Sequence, residues 1–267
     1  MKEPVLILSD LHLGHNASKI ESAEQLRPLL AGVGTVVFNG DTFQELSAEF
    51  RERSEKMLND LRDLCGELGV ETVFIPGNHD PGWEGPGWIE LADGKIIVTH
   101  GDAVMWGGSP WSRESIAKSD KVRELWEQNQ QADYDPQERL GLAKKIALLL
   151  KPPTIPKGRN LLRRTVDAIN PPRRALEILR VWFSHSDKAA MFADRYFPKA
   201  EVVILGHFHW RGTWTKSGRL IVNTGAYVSP HGAMWVSYMD GLMKLGKVDE
   251  KDRSFLRGET RSVWRIG

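Results

Sequence analysis

The sequence has one cysteine, no long apolar run and almost no net charge. Each scarcity narrows the field. A lone thiol excludes an internal disulfide, and Cys65 falls in a helical pattern that predicts a buried, inert group. No stretch nears the roughly 18 apolar residues that a membrane-spanning helix needs. The opening MKEPVLILSD places only four apolar residues before a Ser-Asp pair, too few for the core of a secretory signal. A reducing, cytoplasmic location is therefore expected.

What is present describes a globular chain. Hydrophobic residues make up 41% of the 267 and charged residues 27%, enough for one large domain or two ordinary ones. The net charge of +1 hides an uneven distribution. Between Leu140 and Lys188 stand eleven Lys/Arg against three Asp/Glu, a local excess of +8 on an otherwise acidic body. Such a segment suits a surface that meets something anionic.

The first hundred residues alternate short apolar runs with helical patterns. Val5–Leu8, Thr35–Phe38, Thr72–Ile75 and Ile96–Thr99 read as strands buried on both faces. Ser18–Leu30 and Glu45–Leu68 read as helices between them, so the order is that of an α/β sheet with crossovers. From Ser109 to Lys199 the pattern is helical only: Trp111–Gln130, Pro136–Leu150, Asn160–Ala168, Pro171–Phe183 and Asp187–Phe197, with proline-bearing breaks. Strands return at Val202–Leu205, Arg219–Asn223, Met234–Met239 and Leu242–Val248. Residues 1–108 and 200–267 are thus expected to form one α/β domain, with 109–199 inserted as a helical lid.

Five motifs sit where strands end: Asp10-x-His12, Gly40-Asp41, Gly77-Asn78-His79-Asp80, His100-Gly101 and Gly206-His207-x-His209. In open α/β sheets functional groups gather at the carboxyl ends of strands, so motifs 200 residues apart in sequence can converge. Singly, each is ordinary turn or capping chemistry. Together they hold five of the eight histidines, and each motif follows an apolar run and contains Gly or Asp. The set offers carboxylates, an amide oxygen and imidazoles but no thiolate, which suits Mn, Fe, Co, Ni or Zn. It offers too many ligands for one ion. Two ions roughly 3.5–4 Å apart, sharing a carboxylate and a water-derived hydroxide, would use them all.

Ser9-Asp10-Leu11-His12-Leu13-Gly14, Asn39-Gly40-Asp41, Gly77-Asn78-His79-Asp80, His100-Gly101-Asp102 and Gly206-His207-Phe208-His209 resemble the calcineurin-like metallophosphoesterase superfamily, in that family's order. The resemblance implies a four-layer α/β/β/α sandwich of two mixed sheets. It implies two divalent ions, Mn²⁺ foremost: one held by Asp10, His12, Asp41 and His209, the other by Asp41, Asn78, His100 and His207. It further implies hydrolysis of a phosphate ester or pyrophosphate by a metal-bridging hydroxide. His79 would act on the phosphoryl oxygen or leaving group, with Asp80 orienting it from behind.

The substrate is read from the remaining residues. Amphipathic, Lys/Arg-rimmed helices in the insertion suit a lid over an amphiphilic anion, or contact with the inner membrane face. This resembles the UDP-diacylglucosamine pyrophosphohydrolases, in which Arg follows the Asn of the third motif where this chain has His79. Trp83, Trp88, Trp106 and Trp111 are candidates to line an apolar or nucleobase pocket near the metals, and Arg159, Arg163, Arg164 and His15 to bind substrate. Asn223-Thr224-Gly225 is expected to shape the site, and His185 and His231 to have no metal role. Two other readings stay open: a nuclease of the same superfamily, its basic segment tracking a phosphate backbone, and a non-catalytic binding scaffold. Against the scaffold stands the presence of every expected ligand.

Overall fold

The computed structural model describes residues 1–110, 112–151 and 172–267. Two mixed sheets stack face to face. In the first, β1 (Val5–Leu8), β2 (Thr35–Asn39) and β3 (Glu71–Ile75) run parallel; β9 (Met234–Met239), β10 (Leu242–Lys251) and β11 (Ser254–Arg265) extend it antiparallel from β1. In the second, β5 (Ile96–Thr99), β6 (Val202–Leu205) and β8 (Arg219–Asn223) run parallel, flanked by antiparallel β4 (Trp88–Leu91) and β7 (Gly212–Lys216).

Alternation along the strands makes the layers. Val5 and Ile7 point between the sheets and pack with Ile96, Val98, Val202 and Ile204. Leu6 and Leu8 point the other way, onto Leu61, Leu64 and Cys65 of the helix α2 (Arg51–Glu67). In the second sheet Ile97, Val203 and Leu205 face outward onto Val181, Ala189 and Phe192 of a long helix, Pro172–Tyr196. Helix, sheet, sheet, helix is the resulting order. Each fully buried Leu or Ile is worth about 1.5–3 kcal/mol relative to exposure, so register is strongly held on both faces of each sheet.

Several expected elements differ in extent. The helix expected over 45–68 begins at Arg51, because the chain before it is recruited to the loops: Leu46 N–H donates to His79 O (3.3 Å) and Glu45 Oε2 accepts from Gly82 N–H (2.7 Å). It stops with Gly69 at φ +67°, where Val70 N–H reaches Cys65 O (2.9 Å) and Gly69 N–H reaches Gly66 O (3.1 Å). That pairing closes a helix on a left-handed glycine. The helix expected over 18–30 shrinks to a 3₁₀ turn (Ala23–Leu26) and the single turn α1 (Arg27–Leu30), since Ser18 pairs with Val228 instead. Strand β3 is not buried on both faces: it is the sheet edge, and Glu71 and Thr72 are exposed. Strands β4, β7 and β11 are absent from the reading of the sequence.

Within 109–199 the described helices are α3 (Arg113–Ala117), α4 (Ser119–Gln128), α5 (Pro136–Leu149) and α6 (Pro172–Tyr196). The two helices expected over 171–197 are one, because Ser184-His185-Ser186 carries no breaker and His185 Nδ1 hydrogen-bonds Trp182 O within the helix (2.7 Å). The helix expected over 160–168 lies outside the described residues. Val122, Ala132, Leu142 and Ile146 form a small core of α4, α5 and the 3₁₀ turn between them (Gln130–Asp133), whereas α6 packs on the second sheet and supplies the sandwich's outer layer. Among the described residues no helix is long and apolar enough to cross a membrane.

Candidate metal centre

Strands β1, β2 and β3 are parallel, so the loops that follow them leave from one end of the first sheet. Beyond the strands their backbones remain tied: Asp10 N–H donates to Gly40 O (3.1 Å), His12 N–H to Asp41 O (2.9 Å) and Leu13 N–H to Thr42 O (2.9 Å). The second sheet meets them through His207, whose N–H donates to the Asp10 carboxylate at 3.0 Å. The close approach needs glycine. A Cβ on Gly40 would enter the His100 ring, and one on Gly206 would strike Asp10 Oδ2. Asp10, His12, Asp41, His207 and His209 all adopt left-handed backbone, φ 48° to 63°. Non-glycine residues in that region carry strain of about 1–3 kcal/mol each, and such strain concentrates at functional sites.

Bent this way, the side chains converge. Donor atoms of Asp10, His12, Asp41 and His209 lie within 4.8 Å of one another, as do those of Asp41, His100 and His207. His209 Nε2 is 3.2 Å from both Asp10 Oδ1 and His12 Nε2, and His12 Nε2 is 3.7 Å from Asp41 Oδ2. On the other side of Asp41, His100 Nε2 is 3.4 Å from Asp41 Oδ1 and 3.4 Å from Asn78 Oδ1. Asp41 therefore stands between two donor clusters. The far nitrogens of the rings are held as well. His100 Nδ1 faces Asn39 O at 2.9 Å and His207 Nε2 faces Gly108 O at 3.2 Å. A carbonyl can only accept, so these partners hold a proton on the far nitrogen and leave the near one facing the donor cluster.

The electrostatics fit cations. Asp10 and Asp41 are buried, and among the described residues their only cationic-type partners are imidazoles. Burial holds His12 and His207 well below the ordinary imidazole range, which keeps them neutral and ligand-like. Burial also opposes charge on His100, yet Asp41 prevails and lifts it well above that range. Against its own burial, Asp41 is held well below the carboxylate range by His100 and His79. Two imidazole nitrogens 3.2 Å apart, His12 and His209, can share at most one proton, so a lone pair of one faces the other. Imidazoles, buried carboxylates and an amide oxygen form the borderline N/O donor set of a first-row divalent ion.

Asp80 does not orient His79. Its carboxylate is fully buried and accepts N–H bonds from Asp41 (2.9 Å), Thr42 (2.7 Å), Phe43 (3.4 Å), Gly77 (2.9 Å) and the Trp83 indole (3.1 Å). Burial and the Asp41 charge push it up to about 8, while those donors favour its ionised form. Its task is to clamp the second and third loops together. The His79 ring is held by Gln44, whose Oε1 lies 3.0 Å from His79 Nδ1. Gln44 has no place in the sequence reading, and its position three residues after Asp41 is the signal that could have found it. Asn223 donates to Gly206 O (2.7 Å) and so shapes the turn before His207, as expected.

The surroundings differ from expectation in their aromatics. Trp83 stacks on Phe74 (4.3 Å), Trp88 packs on Phe197, and Trp106 stacks on Trp126, so none of the three lines a common pocket; Trp111 lies outside the described residues. The cleft above Asp41, Asn78 and His79 is walled instead by Ile178 and Trp182 of α6, Phe208 and His231. Trp182 donates its indole N–H to Phe208 O (3.2 Å) and packs on Trp210. A second cleft opens from the same Asn78, His79 and Ser109 toward Ala143, Ile146 and Ala147 of α5. His15 sits one ring beyond His12, at 6.2 Å between centroids, against Phe50, with Nδ1 accepting Ala17 N–H (3.1 Å). His185 is buried under Phe208 and Trp214, away from the donor clusters. Arg159, Arg163 and Arg164 lie outside the described residues.

Comparison with solved structures finds similar chains at low identity. A dimetal phosphatase from Danio rerio is 13% identical over 99% of this chain and 100% of that one, with a TM-score of 0.46. The phosphoesterase YfcE from E. coli is 12% identical over 99% and 100% (TM-score 0.44). Vps29 from Entamoeba histolytica, in complex with zinc, is 16% identical over 98% and 99% (TM-score 0.43). No curated protein matches the chain. The profile of the family described as "Calcineurin-like phosphoesterase" matches residues 3–211, which takes in all five motifs. On that match, this chain belongs to the calcineurin-like phosphoesterase family.

Proposed function

We propose that the protein hydrolyses phosphodiesters or phosphoanhydrides that carry bulky apolar substituents, using two divalent ions. One observation carries the reading: two donor clusters of N and O ligands share Asp41. Asp10, His12, Asp41 and His209 would hold one ion, and Asp41, Asn78, His100 and His207 the other. A pair of such ions supplies an activated water near neutral pH and offsets charge on phosphoryl oxygens. The chain's own residues do the rest. His79, with 31% of its side chain exposed, turns Nε2 toward the cleft, 3.9 Å from Asp41 Oδ2, where it hydrogen-bonds a phosphoryl or leaving-group oxygen. Asp80 keeps the loops that carry Asp41 and His79 in fixed register.

The two clefts speak to the substrate. Both start at Asn78, His79 and Ser109, and they diverge from there, one aromatic and one aliphatic. A phosphorus atom at that junction has room for a substituent on either side, which a diester or anhydride fills and a simple monoester does not. Asp102 and Glu114 border the aliphatic cleft, so its occupant is uncharged. Near the aromatic cleft α6 exposes Leu176 (67%) and Phe183 (78%) beside Arg174, Arg180 and Lys188, which suits an amphiphilic anion or the surface of a membrane that contains one.

The test is a hydrolysis panel on the Mn²⁺-loaded protein: bis(p-nitrophenyl) phosphate, p-nitrophenyl phosphate, UDP-diacylglucosamine in micelles, and single-stranded DNA. Turnover of the diester or the lipid anhydride should exceed that of the monoester and vanish on chelation. Turnover that survives complete metal removal would end the metal reading. A preference for the monoester would end the two-cleft reading, and cleavage confined to DNA would favour a nuclease.

A further inference from the structure

Gln44 is buried, and its amide lies between two histidine rings. Gln44 Nε2 is 2.8 Å from His12 Nδ1, and Gln44 Oε1 is 3.0 Å from His79 Nδ1. Its backbone is fixed in turn: Gln44 N–H donates to Ser54 Oγ (2.7 Å), which donates to Leu13 O (2.6 Å). The amide is therefore neither a surface group nor free to leave. From the amide between those rings, we infer that Gln44 is a positioning residue that couples the proton placement of His12 to that of His79. The inference rests on the metal centre proposed above.

The coupling follows from the inventory of an amide. One end can only accept and the other can only donate. Two Nδ1 atoms on opposite ends cannot both carry a proton, and they cannot both lack one. One ring donates to Oε1 through Nδ1–H, and the other accepts from Nε2–H at a bare Nδ1. A half-turn about the last side-chain bond exchanges the two ends at little steric cost, so two arrangements exist. With the nitrogen toward His12, neutral His12 carries its proton on Nε2 and cannot use that atom as a ligand. With the oxygen toward His12, the proton sits on Nδ1 and the Nε2 lone pair points to Asp10 and Asp41.

A cation at His12 Nε2 selects the second arrangement. Gln44 then donates to His79 Nδ1, and neutral His79 must carry its proton on Nε2. That is the edge facing the cleft. Ligation at one ring thus sets the other as a hydrogen-bond donor to substrate, without charging it. A carboxylate in place of the amide would break the link, because it accepts at both ends. His12 would remain a ligand, while neutral His79 would take its proton on Nδ1 and lose it from Nε2.

The decisive measurement is ¹⁵N NMR of the histidine rings in zinc-loaded wild-type protein, which reads each tautomer directly. Expected are Nδ1–H on His12 and Nε2–H on His79. Gln44→Glu should keep its zinc, move the His79 proton to Nδ1 and lower kcat by about 10²-fold, the scale of a lost proton donor. Gln44→Met removes both partners and should weaken ion binding by about 10–100-fold, as loss of a ligand's hydrogen-bond partner does. Wild-type protein that takes up no divalent ion overturns the metal centre and the relay with it. Wild-type protein that binds zinc but shows His79 protonated on Nδ1 overturns the relay alone. So does a Gln44→Glu protein whose His79 tautomer and kcat match the wild type. The wild-type spectrum decides even if both variants fail to fold.

Discussion

The floor of the cleft and its walls are built on different terms. The floor comes from loops of a few residues, each anchored at a strand end, buried, and cross-tied by backbone hydrogen bonds shared between neighbouring loops. Its residues accept strained backbone because many contacts hold them there. The walls come from Ile178 and Trp182, one turn apart on a helix, and from His231 on a loop just before β9. They are half-exposed and are held by packing, the Trp182 indole hydrogen bond and a Lys19 Nζ donation to His231 O (2.8 Å). The difference teaches a division of labour. Chemistry that needs donor atoms placed to fractions of an ångström is put where nothing can move, and selection of a substituent is left to surfaces that can vary.

Asp41→Asn breaks the floor most directly, since the change is isosteric and removes the one ligand both clusters share. The variant should lose both ions by elemental analysis and fall below detectable hydrolysis, while its helix and strand content by circular dichroism stays. Retention of two ions would mean that the clusters do not share Asp41, and the floor would no longer be one unit. Trp182→Ala is the matching change in the wall. It should cost about 1 kcal/mol or more, roughly fivefold in kcat/KM for aryl diesters, with metal content intact. Loss of metal in that variant would show that wall and floor are not separable. The smallest effect sharpens the contrast with the core beneath. Burial pushes the Cys65 thiol up to about 11, so it stays protonated and enclosed at pH 8. Thiol labelling of the native protein at pH 8 should be negligible and should become stoichiometric only in denaturant.

The same division decides what could be read in the sequence. Asp10, His12, Asp41, Asn78, His100, His207 and His209 are legible because each sits within a few residues of the strand that aims it, so short motifs encode them. The buried strands at 5–8, 35–38, 96–99 and 202–205 are legible through their apolar runs, whereas their division between two sheets comes only with the family resemblance. The edge position of β3 is not legible, because exposure of Glu71 and Thr72 depends on strand order, not on composition. Nor are β11, where charged residues alternate through Arg257-Gly258-Glu259, or the wall residues. Ile178, Trp182 and His231 come together only once α6 lies across the second sheet. Gln44 falls between: it is local to Asp41, but its role needs two rings that fold onto it from separate loops.

One further consequence lies in where the donors originate. Asp10, His12, Asp41 and Asn78 hang from the first sheet, and His100, His207 and His209 from the second. An ion seated among them rivets one slab to the other at their common rim. Only the docked pair offers the full ligand set, so mass action charges any parting of the slabs about 1.4 kcal/mol for each tenfold excess of ion over its dissociation constant. The cofactor of the chemistry would then double as the fastener of the sandwich.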